Sequence, residues 1–169
     1  YFENPNFQYW QPLTHMFMHG GLMHILFNMY ALWAFGSPLE QIWGRKKFLF
    51  FYFSAGLGAA LIHTLVNFYQ VQDGMNALLN IGISQTEIMD MLNTGQYNSG
   101  ILESVPVNRI EALYASFNIP AVGASGAIYG VLVAFGLMYP NAELMLIFLP
   151  IPIKAKYFIP LIIIGDLFF

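Results

Sequence analysis

Ser125 lies between Gly123 and Gly126, in Pro120-Ala-Val-Gly-Ala-Ser-Gly-Ala-Ile-Tyr-Gly130. Removing both flanking side chains lets a backbone or a substrate approach its hydroxyl closely. Pro120 suits a position just outside a helix start. A helix beginning near Ala124 lays its free N–H groups and positive dipole end beside Ser125, where an oxyanion could be stabilised. His24 and Asn28 are four residues apart, hence on one helix face, and both can donate hydrogen bonds into an apolar interior. Together the three residues describe a nucleophile with waiting donors, and acyl transfer by serine is the chemistry they suit. Other readings use the same residues. Gly126 and Gly130 form a G-x-x-x-G spacing that lets membrane helices pack closely, and His24 with Asn28 could be an interhelical polar contact worth about 0.6 kcal/mol. His15, His19 and His24 raise metal binding, against which stand the lack of nearby carboxylates and the break at Gly20-Gly21. Gly-Ala-Ser-Gly-Ala is no α/β-hydrolase elbow, since the last glycine of G-x-S-x-G is missing.

The elements that carry these residues are membrane helices. At 57% hydrophobic and 9% charged residues, the chain falls far below the roughly 25% charge of soluble domains. A net charge of −3 argues against nucleic acid as a partner. The absence of cysteine removes disulfides, thiol catalysis and thiolate metal sites. With no initial methionine and an end inside an apolar run, the chain reads as an internal fragment, truncated at both ends.

Residues 1–13 mix aromatics, amides and two prolines and suit an interfacial loop, with Trp10 as its anchor. Gly20-Gly21 separates a short lead-in from a spanning helix over Gly21–Glu40. Arg45, Lys46 and Lys47 mark the 40–47 turn as cytoplasmic. A second spanning helix follows from Phe48 to about Phe68, with Ser54, Gly56, Gly58, Ala59 and Ala60 ready for close helix packing and with His63 and Asn67 on one face. Residues 69–119 bring five acids against one base and read as an extramembrane insertion. Within it, Ser84–Glu87 and Asn108–Glu111 resemble capping boxes ahead of amphipathic helices near 84–92 and 108–117. The Ser125 helix, Ala124 to Tyr139, is about 24 Å long, short of the roughly 30 Å hydrocarbon core, so one end lies below the membrane surface. Pro140–Lys156 reads as a cytoplasmic turn, and Tyr157–Phe169 as a further helix interrupted by Pro160. Asp166 is the one carboxylate well inside a candidate span, too little for a channel or transporter pathway. The expected class is all-α, a polytopic transmembrane bundle.

The stretch from His15 to Asn28, Glu40 through Gly44, and Gly123-Ala-Ser-Gly126 closely resemble the rhomboid intramembrane serine proteases. The resemblance covers residues 10–68 and 120–169. It implies a single membrane domain over 1–169 holding about four of six core helices, with 69–119 outside the shared pattern. It further implies Ser125 as nucleophile, an oxyanion hole of the Ser125 N–H, His24 and Asn28, and cleavage of transmembrane or juxtamembrane segments without cofactor or metal. The family's general base, a histidine of the sixth helix, has no counterpart in this chain, so the 169 residues are expected to be inert, with the Gly126–Gly130 face uncovered. His63 reads as a satisfied interfacial histidine. Where the family commonly has Trp-Arg, the chain has Trp10-Gln11. The partners implied are the lipid bilayer and membrane-protein substrates, and the setting a bacterial plasma membrane. A pseudoprotease that binds membrane clients without cutting them is the alternative.

Overall fold

The computed structural model describes residues 1–119, 123–146 and 149–168. Pro120, read as flanking a helix start, and the side chain of Asp166 lie outside the described residues. The chain divides into two units, Tyr1–Gln11 with Ala60–Ala121 and Pro12–Ala59 with Val122–Phe169.

The second unit takes up the chain within a short helix α1 (Gln11–Thr14), followed by a 3-10 turn over His15–Phe17. Beyond Gly20-Gly21, α2 (Leu22–Ala31) continues through a π turn at Leu32–Gly36 into α3 (Ser37–Trp43). The expected Gly21–Glu40 helix is therefore present, with a π turn inside it. Pro38 accounts for that turn, because it has no N–H to return to Ala34 and its ring needs room there. Gly44, at φ 75, is in the left-handed region that glycine tolerates, and it separates α3 from α4 (Arg45–Asn80).

The 36 residues of α4 make about 54 Å of helix, well beyond a hydrocarbon core of roughly 30 Å. The reading that ended this helix at Phe68 is too short. Gln70, Gln72, Asp73 and Asn76 change the polarity but not the backbone, and no proline stops it. Among the described residues, α4 is the one helix long and apolar enough to cross a membrane, while α7 (Ser125–Met138) and the Ala155–Gly165 part of α8 (Ala155–Phe168) are shorter apolar helices.

Within the second unit, α7 packs on the first half of α4 through small residues. A Cβ on Gly126 would lie 2.5 Å from the Ala59 methyl, and one on Gly130 would lie 2.6 Å from that of Ala55. The expectation of an uncovered glycine face is thus overturned: α4 covers it, with the small residues noted in the sequence. Each step up α7 matches a step down α4, so the two run antiparallel. Phe35 meets Phe135 edge-on at 5.1 Å, and Leu39, Ile128 and Val131 are buried in the same core.

Pro140–Lys156 is more than a turn. It forms an antiparallel hairpin of β1 (Glu143–Leu146) and β2 (Leu149–Lys154), pairing Glu143 with Lys154 and Leu144 with Ile153. This small sheet is the one departure from an all-α domain among the described residues. The helix after it starts at Ala155 and runs through Pro160 uninterrupted, since one missing i→i−4 bond is tolerated in membrane helices.

The first unit is built differently. After α4, Gly82 (φ 89) turns the chain, and α5 (Gln85–Thr94) opens on a full Ser84–Glu87 capping box and closes on left-handed Gly95. A 3-10 turn, Ser99–Glu103, leads to α6 (Val107–Asn118). Here the second expected box is absent: Pro106 is the N-cap, so the helix starts before Asn108, Arg109 takes the third helical position, and Glu111 is two positions too late to reach back. Val71, Leu78, Ile88, Leu92, Leu113 and Phe117 fill the core. Arg109 grips Asp73 through two guanidinium nitrogens, and the Asn4 amide donates to the Phe117 carbonyl at 2.9 Å.

Candidate active site

Everything around Ser125 belongs to the second unit. Ser125 is the first residue of α7, with Ala124 as N-cap and the first helical bond closing from Ile128 N–H to the Ala124 carbonyl at 3.0 Å. The N–H groups of Ser125, Gly126 and Ala127 consequently have no intrahelical acceptor. Gly123, at φ 118, requires glycine on conformational grounds alone.

Space imposes glycine a second time. A Cβ at Gly123 would stand 2.9 Å from His24 Cε1, 3.0 Å from His24 Nε2 and 3.5 Å from Ser125 Oγ. The imidazole and the serine hydroxyl therefore border the same small space, and only the missing side chain keeps it open. Asn28, one turn further along α2, is 8% exposed, and its Nδ2 is buried without a hydrogen-bond partner among the described residues. Such an orphaned amide costs about 1–3 kcal/mol unless a substrate oxygen or a water takes its protons. Of the residues singled out in the sequence, Ser125 and His24 are thus brought together, and Asn28 is a buried donor on the His24 helix.

The loop before α2 sets the histidine. Gly20 N–H donates to His24 Nδ1 at 3.3 Å, which makes Nδ1 the acceptor and leaves the proton on Nε2, the nitrogen facing Gly123. His19 meets the His24 ring edge-on at 5.4 Å. The same lead-in is anchored by Met16, 1% exposed, whose methyl occupies the space a Cβ would take on Gly56. The His15 backbone carbonyl closes the arrangement by accepting the Gly123 N–H at 2.9 Å. The Gly20-Gly21 pair, read from sequence as a helix break, also supplies the hydrogen bond that fixes the tautomer, and no residue pattern announces that.

His63 faces Asn67, with 3.1 Å between ring nitrogen and amide. Among the described residues no group of three metal-ligating side chains converges, the His15, His19 and His24 set included. Nor does any histidine hydrogen-bond the Ser125 hydroxyl among the described residues; the His24 Nε2 faces the Gly123 gap beside it.

The rhomboid domain pattern matches residues 6–169. The chain is 26% identical, over 94% of its length, to an uncharacterised mitochondrial rhomboid protein of Schizosaccharomyces pombe, covering 42% of that protein. It is 29% identical over 82% of its length to the mitochondrial presenilin-associated rhomboid-like protein of Homo sapiens, covering 24% of it. Over 54 residues, 32% of this chain and 11% of the relative, it is 35% identical to the rhomboid protease GluP of Bacillus subtilis. The chain thus spans less than half the length of these relatives, and no solved structure matches it. With the rhomboid pattern matched along nearly the whole chain, one conclusion follows: the chain belongs to the rhomboid family.

Proposed function

We propose that the chain carries the nucleophile and oxyanion donors of an intramembrane serine endopeptidase that cuts transmembrane or juxtamembrane segments of other membrane proteins. One observation carries the reading: the His24 ring is held by Gly20 N–H with its protonated Nε2 against the Gly123 gap that Ser125 also borders. In the proposed reaction Ser125 Oγ attacks a peptide carbonyl carbon. The carbonyl oxygen takes the negative charge and is met by the Ser125 N–H, His24 Nε2–H and the Asn28 amide. The leaving amine takes a proton, and water then hydrolyses the acyl-serine. A base must accept the Ser125 proton within about 2.6–3.2 Å. The family resemblance puts that histidine in a helix following residue 169.

The orientation follows from charge. Since α7 runs antiparallel to α4, Arg45, Lys46 and Lys47 share one end of the second unit with Lys154 and Lys156, and Ser125 is at the other. By the positive-inside rule, the 40–47 and 140–156 segments face the cytoplasm, the catalytic end of the second unit faces away from it, and residues 69–119 are an extramembrane insertion.

Cleavage of a transmembrane substrate by the chain extended through the next membrane helix tests the assignment. His24→Ala and Asn28→Ala should each lower kcat by up to about 10²- to 10³-fold, the range for one lost oxyanion donor, with helical content unchanged. Loss of fold in both variants would instead make the pair a helix-packing contact. A client-binding pseudoprotease is favoured by one fact, that no described histidine reaches Ser125 as a base. Client binding by the extended chain without cleavage would establish that alternative.

A further inference from the structure

Antiparallel hairpins with one packed face ordinarily turn polar residues outward. The β1–β2 hairpin does not. Leu144 and Ile153, paired across the strands, are half-buried against the core of the second unit. On the outward side Met145 is 63% exposed, and Pro152 is exposed as well. Ile151, nearer the hairpin end, is 54% exposed. From Leu144 to Ile153 the sequence contains no polar side chain, so in water both sides of this hairpin would be apolar. The ends are charged: Glu143 stands opposite Lys154, and Lys156 follows with its ammonium 5.1 Å from the Tyr157 ring.

The base of the hairpin is fixed. Ala155 N–H donates to the Ala142 carbonyl at 2.8 Å and Lys156 N–H to the Pro140 carbonyl at 3.1 Å. These bonds tie the hairpin to the ends of α7 and α8, two apolar helices, and so hold it at the end of the membrane-embedded region. Hydrocarbon depth is excluded, because the outer edges of a two-stranded sheet leave backbone groups that need water. Pro150 and Pro152 reduce that need by removing two N–H donors from β2. An apolar surface with unpaired carbonyls, flanked by lysines and a tyrosine, matches the headgroup zone of a bilayer in every respect.

We propose that this hairpin seats its outward face in the headgroup region of an anionic leaflet, with Lys154 and Lys156 on the negatively charged lipid headgroups. The inference goes beyond the serine chemistry and does not depend on it. Since the chain contains no cysteine, single nitroxide probes at Met145→Cys and Ile151→Cys can be placed on the full chain in vesicles. In phosphatidylglycerol-containing vesicles both probes should be open to oxygen and shielded from a water-soluble nickel chelate. Pure phosphatidylcholine, or the double variant Lys154→Gln/Lys156→Gln, should lower the seated population, on the order of fivefold per lysine lost. Water-like nickel access in phosphatidylglycerol would overturn the proposal. So would shielding unchanged by both lipid charge and lysine removal, and so would probe-to-probe distances showing that a second copy of the hairpin provides the cover.

Discussion

Each unit packs its part of α4 against a partner helix through a glycine, and the two contacts differ. Gly74, in the first unit, receives the Leu113 side chain of α6, whose Cβ stands 2.7 Å from where a Gly74 Cβ would be. In the second unit it is the partner helix that lacks the side chain: Gly126 and Gly130 of α7 meet only the methyls of Ala59 and Ala55. One contact buries a large side chain, as a water-soluble core does, and the other brings two backbones together, as membrane helices do where burial from water supplies no drive. The accessory devices divide the same way. The first unit has the capping box, the Arg109–Asp73 pair and the side-chain bonds of Asn4 and Asn118. The second reserves its buried polar groups for the surroundings of Ser125.

Leu113→Ala should break the first unit most severely. It removes a side chain that is 1% exposed, for which a loss of about 2–5 kcal/mol is expected, seen as lost hydrogen-exchange protection in α5 and α6. Equal protection in wild type and variant would mean that the unit is not held by a side-chain core.

Gly130→Leu should cost about 1–3 kcal/mol by overpacking, read from unfolding in mixed detergent micelles. Gly58→Leu is the control on the same interface helix, because a Cβ at Gly58 meets nothing within 4 Å. If both substitutions behave alike, close backbone approach is not what joins α4 to α7.

The smallest effect belongs to the capping box. Ser84→Ala should destabilise α5 by about 0.5–2 kcal/mol, detectable as fraying of its first turn. Hydrogen bonds from the Ser84 hydroxyl and backbone hold the Glu87 carboxyl below the usual carboxylate range. A depressed carboxyl contributes stability above its unfolded pKa, about 4.3, and loses it as pH falls through the lower folded value. First-turn protection should therefore fall on acidification below the ordinary glutamate range in wild type, and Ser84→Ala should flatten that dependence. An identical acid profile in the variant would remove the box from the account.

Local signals in the sequence are legible, and signals that compete with neighbours are not. Ser84 and Glu87 announce a helix start because cap and partner are three residues apart and nothing intervenes. Asn108 and Glu111 have the same spacing, but Pro106, extended at φ −60 and ψ 141, starts the helix first. Hydropathy falls after Phe68, which suggests an end to α4 there, yet amides and Asp73 continue a helix as long as no proline intervenes. Pro150 and Pro152 suggested a turn, although proline fits an edge strand whose N–H side is unpaired. Ser125, His24 and Asn28 were legible as residue types with a helical spacing and through family resemblance. That Gly123 would separate Ser125 from His24 depends on a contact about a hundred residues apart in the chain, and that Gly20 would set the tautomer depends on how the loop before α2 folds; periodicity encodes neither.

Reaction with a fluorophosphonate tests the central claim most directly, using the chain extended through the next membrane helix beside residues 1–169 alone. Ser125 with its donors but without a base should react only in the extended chain. Ser125→Ala should abolish labelling there, and Gly123→Ala should suppress it by filling the space between His24 and Ser125 while the helices remain. Labelling that survives Ser125→Ala, or equal labelling of the 169 residues alone, would contradict the account, the first by moving the nucleophile and the second by placing the base among His15, His19, His24 and His63.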